Sequence, residues 1–101
     1  MMKKISKISK KIGAIDFVER VYLFGSKVNN PEKKHSDIDL CIVINDNSDT
    51  ELIYEQVVDC IQEEKTLIHP IIFSKSDFEN KIKIKAYKES IIGKGKLIYK
   101  K

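Results

Sequence analysis

A glycine–serine pair in the N-terminal third of the chain has the residue types of a phosphate site. Gly25-Ser26 directly follows a short apolar, β-rich run, and glycine at such a turn lets the backbone approach a ligand closely. If a helix begins there, its free N–H groups bind anions, and the Ser26 hydroxyl can contact a phosphate oxygen. Most Gly-Ser pairs, taken by themselves, are ordinary turns.

Two aspartates further along have the spacing of a metal site. Asp37 and Asp39 stand two residues apart at the start of an apolar segment, so on a strand both carboxylates point to the same face. Carboxylates this close repel each other unless a cation lies between them. Mg²⁺ prefers such oxygen ligands and shares phosphate oxygens. The alternative is that Asp37 caps a turn and Asp39 faces solvent.

Two strands must position these pairs. We predict strands over 20–24 and 37–44, with a polar loop over 27–36 between them. If these strands pair in antiparallel fashion, the Gly-Ser turn and the two aspartates meet at one edge of the sheet. A phosphate site beside a metal site suits a metal-bound nucleoside triphosphate.

The remaining pattern alternates helices with strands. Isoleucines at helical spacing predict a first helix over about 2–15, and a second amphipathic helix is predicted over 50–64, begun by Ser48 or Asp49. A third strand is predicted over 67–73, then a helix to about residue 92 begun by Ser74 or Ser76, then a short extended tail. The apolar face of the second helix comprises Leu52, Ile53, Val57, Cys60 and Ile61. This order predicts an α/β (α+β) fold with a small mixed sheet and helices packed on it.

Length and composition predict one domain over residues 1–101. No apolar run approaches the roughly 20 residues that cross a bilayer. The basic N-terminus leads into no apolar segment of a secretory signal, so we expect a cytoplasmic protein whose two cysteines, Cys41 and Cys60, are buried free thiols. Lys and Arg outnumber Asp and Glu by 19 to 15, and the lysines concentrate at both ends. Such a surface favours anionic partners, although a lysine-rich soluble surface explains the pattern equally well.

The motifs together resemble the signature of a known superfamily. Gly25-Ser26, a ten-residue spacer ending in Ser36, and Asp37-Ile38-Asp39-Leu40 are similar to the DNA polymerase β-like nucleotidyltransferases. Size and element order resemble the minimal nucleotidyltransferase (MNT) branch.

The resemblance implies a role for each matching residue. It assigns Gly25, Ser26 and Ser36 to nucleotide binding, and Asp37 and Asp39 to Mg²⁺ and catalysis. It further implies in-line attack of a hydroxyl on the α-phosphate of ATP or another nucleoside triphosphate. MNT proteins are often encoded beside HEPN-domain proteins, and some are antitoxins that transfer AMP to a tyrosine of a HEPN toxin.

The sequence departs from the family pattern twice. Asn29-Asn30 stands where Arg-Gly is usual, and His69 stands where a later strand should provide a third carboxylate. Four interpretations of His69 are open: a general base, an inert residue in a degenerate site, a ligand for a softer metal, or a misaligned position. Pro70 after it predicts an edge strand or a strand start.

Three functions therefore compete. The first is an Mg²⁺-dependent nucleotidyltransferase that modifies a hydroxyl of a partner, plausibly a HEPN-domain toxin. The second is a catalytically degenerate subunit that binds this partner, with or without nucleotide. The third is nucleic-acid binding through the lysine-rich ends. A second copy of the chain is also a candidate partner.

Overall fold

The computed structural model describes residues 2–25, 38–46, 49–62 and 68–101. Its elements are α1 (Met2–Gly13), β1 (Val18–Phe24), β2 (Ile38–Ile44), α2 (Thr50–Gln62), β3 (Ile68–Ser74), α3 (Lys75–Lys81), α4 (Lys85–Tyr87), a π-helical turn π1 (Lys88–Gly93) and β4 (Lys96–Lys100). In the part of the chain so described, no helix is long and apolar enough to cross a membrane.

The four strands form one mixed sheet in the order β3-β2-β1-β4. β1 lies antiparallel to both β2 and β4, whereas β2 and β3 are parallel and are connected through α2. The predicted α/β fold with a small mixed sheet is confirmed. The edge position that Pro70 predicts for β3 is also confirmed. The antiparallel pairing of β1 with β2 fulfils the condition under which we expect the Gly-Ser turn and the aspartates to meet.

One face of the sheet, which we call the closed face, packs against α1 and α2. Its core is aliphatic, because both helices present isoleucine and valine at helical spacing to alternate residues of the strands. The fully buried members include Ile8, Ile12, Leu40, Ile42 and Ile53. The apolar stripe predicted for α2 is wrong at Leu52, whose side chain is 50% exposed.

The opposite face, which we call the open face, is covered by α3, α4 and π1. Its smaller core contains aromatic rings: Tyr22 stacks on Phe78 with the ring centroids 5.5 Å apart. The Arg20 guanidinium lies 5.3 Å from the centre of the Phe78 ring and donates a hydrogen bond of 3.0 Å to the Tyr22 hydroxyl. Cation–π contact and hydrogen bond together hold this arginine against the sheet.

Side-chain caps begin two helices as predicted. Oδ1 of Asp49 accepts the backbone N–H groups of Glu51 (3.0 Å) and Leu52 (3.3 Å) at the start of α2, and Oγ of Ser74 accepts the N–H of Asp77 (3.2 Å) at the start of α3. These bonds satisfy backbone donors that a helix leaves unpaired at its first turn.

Ser76 has a different partner. Its backbone N–H (2.8 Å) and its hydroxyl (2.7 Å) donate to the Asp46 carboxylate, just after β2. These two hydrogen bonds lower the pKa of Asp46, because they favour its ionised form.

The prediction of one final helix running to about residue 92 is wrong. α3 ends at Lys81, and Ile84 is extended (φ −80°, ψ 120°) before α4 begins. The segment 81–85 alternates lysine with isoleucine, and the β-branched isoleucines favour extended backbone over helix. The break lets Phe78 before it and Ile91 after it both reach the open face.

The return from π1 to β4 depends on glycine. A Cβ on Gly95 would collide with the Ile91 carbonyl group and lie 3.1 Å from the Leu23 carbonyl oxygen. A residue with a side chain would therefore push β4 away from β1.

Candidate active site

Three residues that the sequence singles out meet at one edge of the sheet. Phe24 is paired with Asp39, and Asp39 is paired with His69, so the end of β1 and the starts of β2 and β3 lie side by side. Gly25 directly follows Phe24 at this edge. The predicted meeting of the glycine turn with the second aspartate is confirmed by this register.

Gly25 has a backbone conformation that favours glycine. Its φ is 83°, in the left-handed region. A Cβ at this position would collide with Oδ2 of Asp39 and lie 3.3 Å from its Cγ. Because Gly25 has no side chain, the Asp39 carboxylate has space beside the turn. From the sequence we expected glycine here to let a ligand approach the backbone, and in the structure a side chain of the same protein lies there.

Asp39 and His69 share the open face of the sheet. In β2, Asp39 alternates with Leu40 and Ile42 of the closed face, so its side chain is on the side of Cys41 and Val43. Asp39 is half-buried and His69 is exposed. Paired residues of neighbouring strands project to the same side, so a carboxylate and an imidazole stand next to each other at this edge.

The other predicted site residues, Ser26, Ser36 and Asp37, lie outside the described residues, as does the Asn29-Asn30 departure. Within the described ranges, no group of three or more His, Cys, Asp or Glu side chains is close enough to hold a metal ion. The donor set present there fits one part of a magnesium site, since Asp39 offers carboxylate oxygen beside a turn without a side chain. A complete set needs a further carboxylate, the role predicted for Asp37.

A cavity of about 170 Å³ lies next to this edge on the open face. Its walls come from β1, β3, α4 and π1, and six of its seven lining residues are apolar or aromatic: Phe24, Ile71, Phe73, Ala86, Tyr87 and Ile91. The seventh is Ser90. The sequence pattern did not predict this cavity. The local signal for it is the pair Tyr87 and Ile91, which stand four residues apart and both line the cavity. This spacing also fits the continuous helix that we predicted, so it did not indicate a cavity.

Lysines stand beside one wall of the cavity and along the chain that carries it. The Lys81 ammonium lies 5.2 Å from the centroid of the Tyr87 ring, within the range of a cation–π contact. Lys83, Lys85 and Lys88 are exposed on the same stretch of chain. Lys85 approaches Glu89 at 4.0 Å, and both side chains are largely exposed, so this ion pair contributes little.

The two cysteines are free thiols, as predicted, but they differ in burial. Cys41 is fully buried under the open face, while Cys60 on α2 is only half-buried. Burial raises the pKa of the Cys41 thiol to about 12, with the nearby Arg20 charge acting weakly in the opposite direction. Cys41 is therefore an inert member of the core rather than a nucleophile.

Comparison with known sequences gives one family match, which covers almost the whole chain. The family model described as "Polymerase beta, Nucleotidyltransferase" matches residues 3–101. No curated protein sequence matches significantly.

Solved structures with the same fold include three informative ones. A putative nucleotidyltransferase from Sulfolobus solfataricus superposes with a TM-score of 0.67 at 18% identity, over 100% of this chain and 81% of that one. A variant of the MntA-HpeT toxin–antitoxin complex gives 0.63 at 19% identity, over 100% and 73%. A toxin–antitoxin complex with AMP-PNP gives 0.60 at 18% identity, over 98% and 73%. At these identities the likeness establishes the fold.

Proposed function

Because the chain belongs to the polymerase β nucleotidyltransferase family, we propose that it transfers a nucleoside monophosphate, AMP from Mg·ATP, to a hydroxyl group of a partner protein. The observation that carries the proposal is the strand register that brings Gly25, Asp39 and His69 to one edge of the sheet. A phosphate-binding turn, a metal-binding carboxylate and a proton acceptor are the parts that such a transfer needs.

The donor nucleotide is held at the Gly25 turn in this proposal. The backbone at Gly25, with the hydroxyls of Ser26 and Ser36, binds the triphosphate, and Asp39 with Asp37 provides the carboxylate oxygens for Mg²⁺. When bound, Mg²⁺ neutralises charge on the phosphate oxygens and orients them. The half-buried position of Asp39 fixes one of these ligands to a rigid strand.

The transfer step follows from the same geometry. The acceptor oxygen attacks the α-phosphorus, the bond from that phosphorus to the bridging oxygen of the β-phosphate breaks, and pyrophosphate leaves. The proton of the attacking hydroxyl passes to His69, whose imidazole accepts it in the neutral form. Because His69 is exposed at the sheet edge, a hydroxyl on a second protein can reach it.

The partner that we propose is a toxin with a HEPN domain, for which this chain acts as the antitoxin. Two of the similar structures are toxin–antitoxin complexes, and one of those contains AMP-PNP, an ATP analogue. The small domain has little room to enclose a large acceptor, so the acceptor hydroxyl belongs to the other chain.

Intact-mass spectrometry tests the transfer. The full chain is incubated with Mg·ATP and the protein encoded next to it, and we expect the neighbour to gain the mass of one or more AMP units. Asp39→Asn should reduce the gain at least about 10²-fold, since it removes a charged group that acts on the transition state. Asp59→Asn, which changes an exposed aspartate on α2 across the sheet, is the matched control and should leave the gain unchanged. No mass gain with any nucleoside triphosphate would overturn the transferase.

A second candidate function rests on His69. The residue in register with Asp39 is an imidazole where the family pattern has a carboxylate, and imidazole is a poorer ligand for Mg²⁺. The chain would then be a degenerate subunit that binds its partner without catalysis. It predicts co-elution of the two proteins without mass gain, and co-elution that survives Asp39→Asn. His69→Asp separates the hypotheses. Transfer that appears only in this variant would show that the site is inactive because His69 replaces the third carboxylate.

A further inference from the structure

The cavity on the open face continues directly from the proposed phosphate and metal edge. Phe24, one of its walls, is the residue paired with Asp39, and Ile71, another wall, is two residues after His69 on the same side of β3. Directly paired side chains on neighbouring strands have their Cβ atoms about 5 Å apart. A ligand with its phosphates at Gly25 would therefore extend its remaining part over Phe24 towards the cavity.

The walls of the cavity are suited to contact with a flat ring, and their described side chains have few polar atoms. Phe24, Phe73 and Tyr87 provide aromatic surface, and the described lining residues include no carboxylate, amide or charged side chain. Their side-chain polar atoms are the hydroxyls of Ser90 and Tyr87, and each of these hydroxyls can donate or accept. A nucleobase bound here gains stacking and apolar contact, and the described part of the walls provides no fixed pattern of side-chain donors and acceptors.

We infer that this cavity binds the base of the donor nucleotide by stacking and apolar contact, and that the chain accepts all four nucleoside triphosphates with little discrimination. This inference rests on the proposed function and names the breadth of its donor substrate. Its physical reason is that strong discrimination comes from buried polar groups that a wrong ligand leaves unpaired, whereas an apolar wall discriminates weakly.

Charge and position favour a nucleotide over an apolar peptide in this cavity. The Lys81 ammonium lies against the Tyr87 wall, and Lys85 and Lys88 stand next to Ala86 and Tyr87 along the chain. Positive charge beside apolar walls matches a ligand that has a flat ring at one end and a triphosphate at the other. The Lys81 ammonium contacts the Tyr87 ring and so helps to hold that wall in place.

Equilibrium binding of the full chain in the presence of Mg²⁺ tests the inference. The probes are ATP, GTP, CTP, UTP and inorganic tripolyphosphate, which has the phosphates without a base. We expect the four nucleotides to bind within about tenfold of one another. Tyr87→Ala should weaken all four about tenfold, in line with the loss of one stacking partner. It should leave tripolyphosphate binding unchanged.

Tyr54→Ala is the matched control. Tyr54 is 48% exposed on α2, on the other side of the sheet, and Tyr87 is 39% exposed. The control should leave binding of all five probes unchanged. As a second variant, Ser90→Phe fills the cavity from an exposed position. It should also weaken the nucleotides without affecting tripolyphosphate.

Three results would overturn the inference. The first is a preference of more than about 100-fold for one nucleotide. The second is nucleotide affinity that is unaffected by both Tyr87→Ala and Ser90→Phe, even if binding of the partner protein falls, because the cavity would then belong to the acceptor side. The third is equal weakening of tripolyphosphate and the nucleotides. Failure of tripolyphosphate and of every nucleotide to bind the unmodified chain is a separate result, which overturns the proposed function itself.

Discussion

The two faces of the sheet differ in how completely they are covered. The closed face is filled by α1 and α2, whose isoleucines are buried except for the half-buried Ile61. The open face is covered by short, interrupted helical segments, leaves Phe24 and Phe73 only half-buried, and contains the cavity. Asp39 and His69 project from the open face. The difference indicates that one face provides most of the stability, so that the other can remain accessible to ligands.

The largest effect on stability should come from the closed face. Ile42→Ala truncates a fully buried side chain and should lower the free energy of unfolding by about 2–5 kcal/mol, from lost burial and the cavity left behind. Denaturant unfolding followed by circular dichroism measures this change.

Tyr87→Ala on the open face is the counterpart and should cost less, about 1–2 kcal/mol, because 39% of that residue is already exposed. Equal losses in Ile42→Ala and Tyr87→Ala would show that the two faces do not divide stability and binding between them.

A smaller loss of stability is expected at the Gly25 turn, which lies against Asp39. Gly25→Ala forces an L side chain into left-handed backbone and against Asp39, which should cost about 1–2 kcal/mol and reduce nucleotide transfer. Unfolding and mass-spectrometric transfer assays measure both effects.

Gly93→Ala is the control for this change. A Cβ there meets only the Lys88 carbonyl oxygen at 3.8 Å, so this variant should be neutral or more stable by up to about 1 kcal/mol. Unchanged stability and transfer in Gly25→Ala would show that the turn is not constrained in this way.

The smallest expected effect concerns the floor of the open face and appears only at alkaline pH. The pKa of Cys41 is raised from 9.0 to about 12 by burial, so the unfolded chain loses this proton at a lower pH than the folded chain does. The stability that depends on the neutral thiol is complete below pH 9 and is lost as the pH rises towards 12. Between pH 9 and pH 10 the loss should be about 1 kcal/mol.

Cys41→Ala removes this pH dependence, while Cys60→Ala should keep it. Unfolding measured for both variants and the unmodified chain at pH 8, 9 and 10 makes the comparison. If the free energy of unfolding changes with pH equally in Cys41→Ala and in the unmodified chain, water reaches the Cys41 side chain beneath the open face.

The sequence was sufficient for the features that depend on local pattern. Isoleucine spacing predicts α1, and the two apolar runs on either side of a polar loop predict β1 and β2. Gly25 and Asp39 then lie at one edge on condition that the two strands pair in antiparallel fashion, which the structure shows. The resemblance supplied the roles of these residues, which the pattern leaves open.

Features that depend on distant pairing could not be predicted in the same way. β2 is apolar on both sides, so its pattern does not show which residue of β3 lies beside Asp39. The resemblance aligns His69 with the third carboxylate of the family, but the pairing of His69 with Asp39 is seen only in the parallel register. The break after α3 was missed because the helical spacing of apolar residues continues beyond it. The cavity was missed for the same reason, since α4 and π1, which follow the break, form part of its walls.

The outer strands of the sheet also affect how this chain meets its own copies. β3 contains Pro70, which has no backbone N–H to donate, and β4 is five residues long with a lysine at each end. Short, charged or proline-containing edges are poor templates for strand addition. Extension of the sheet from one molecule to the next is therefore opposed at both ends, which protects a small, half-covered sheet from edge-to-edge aggregation.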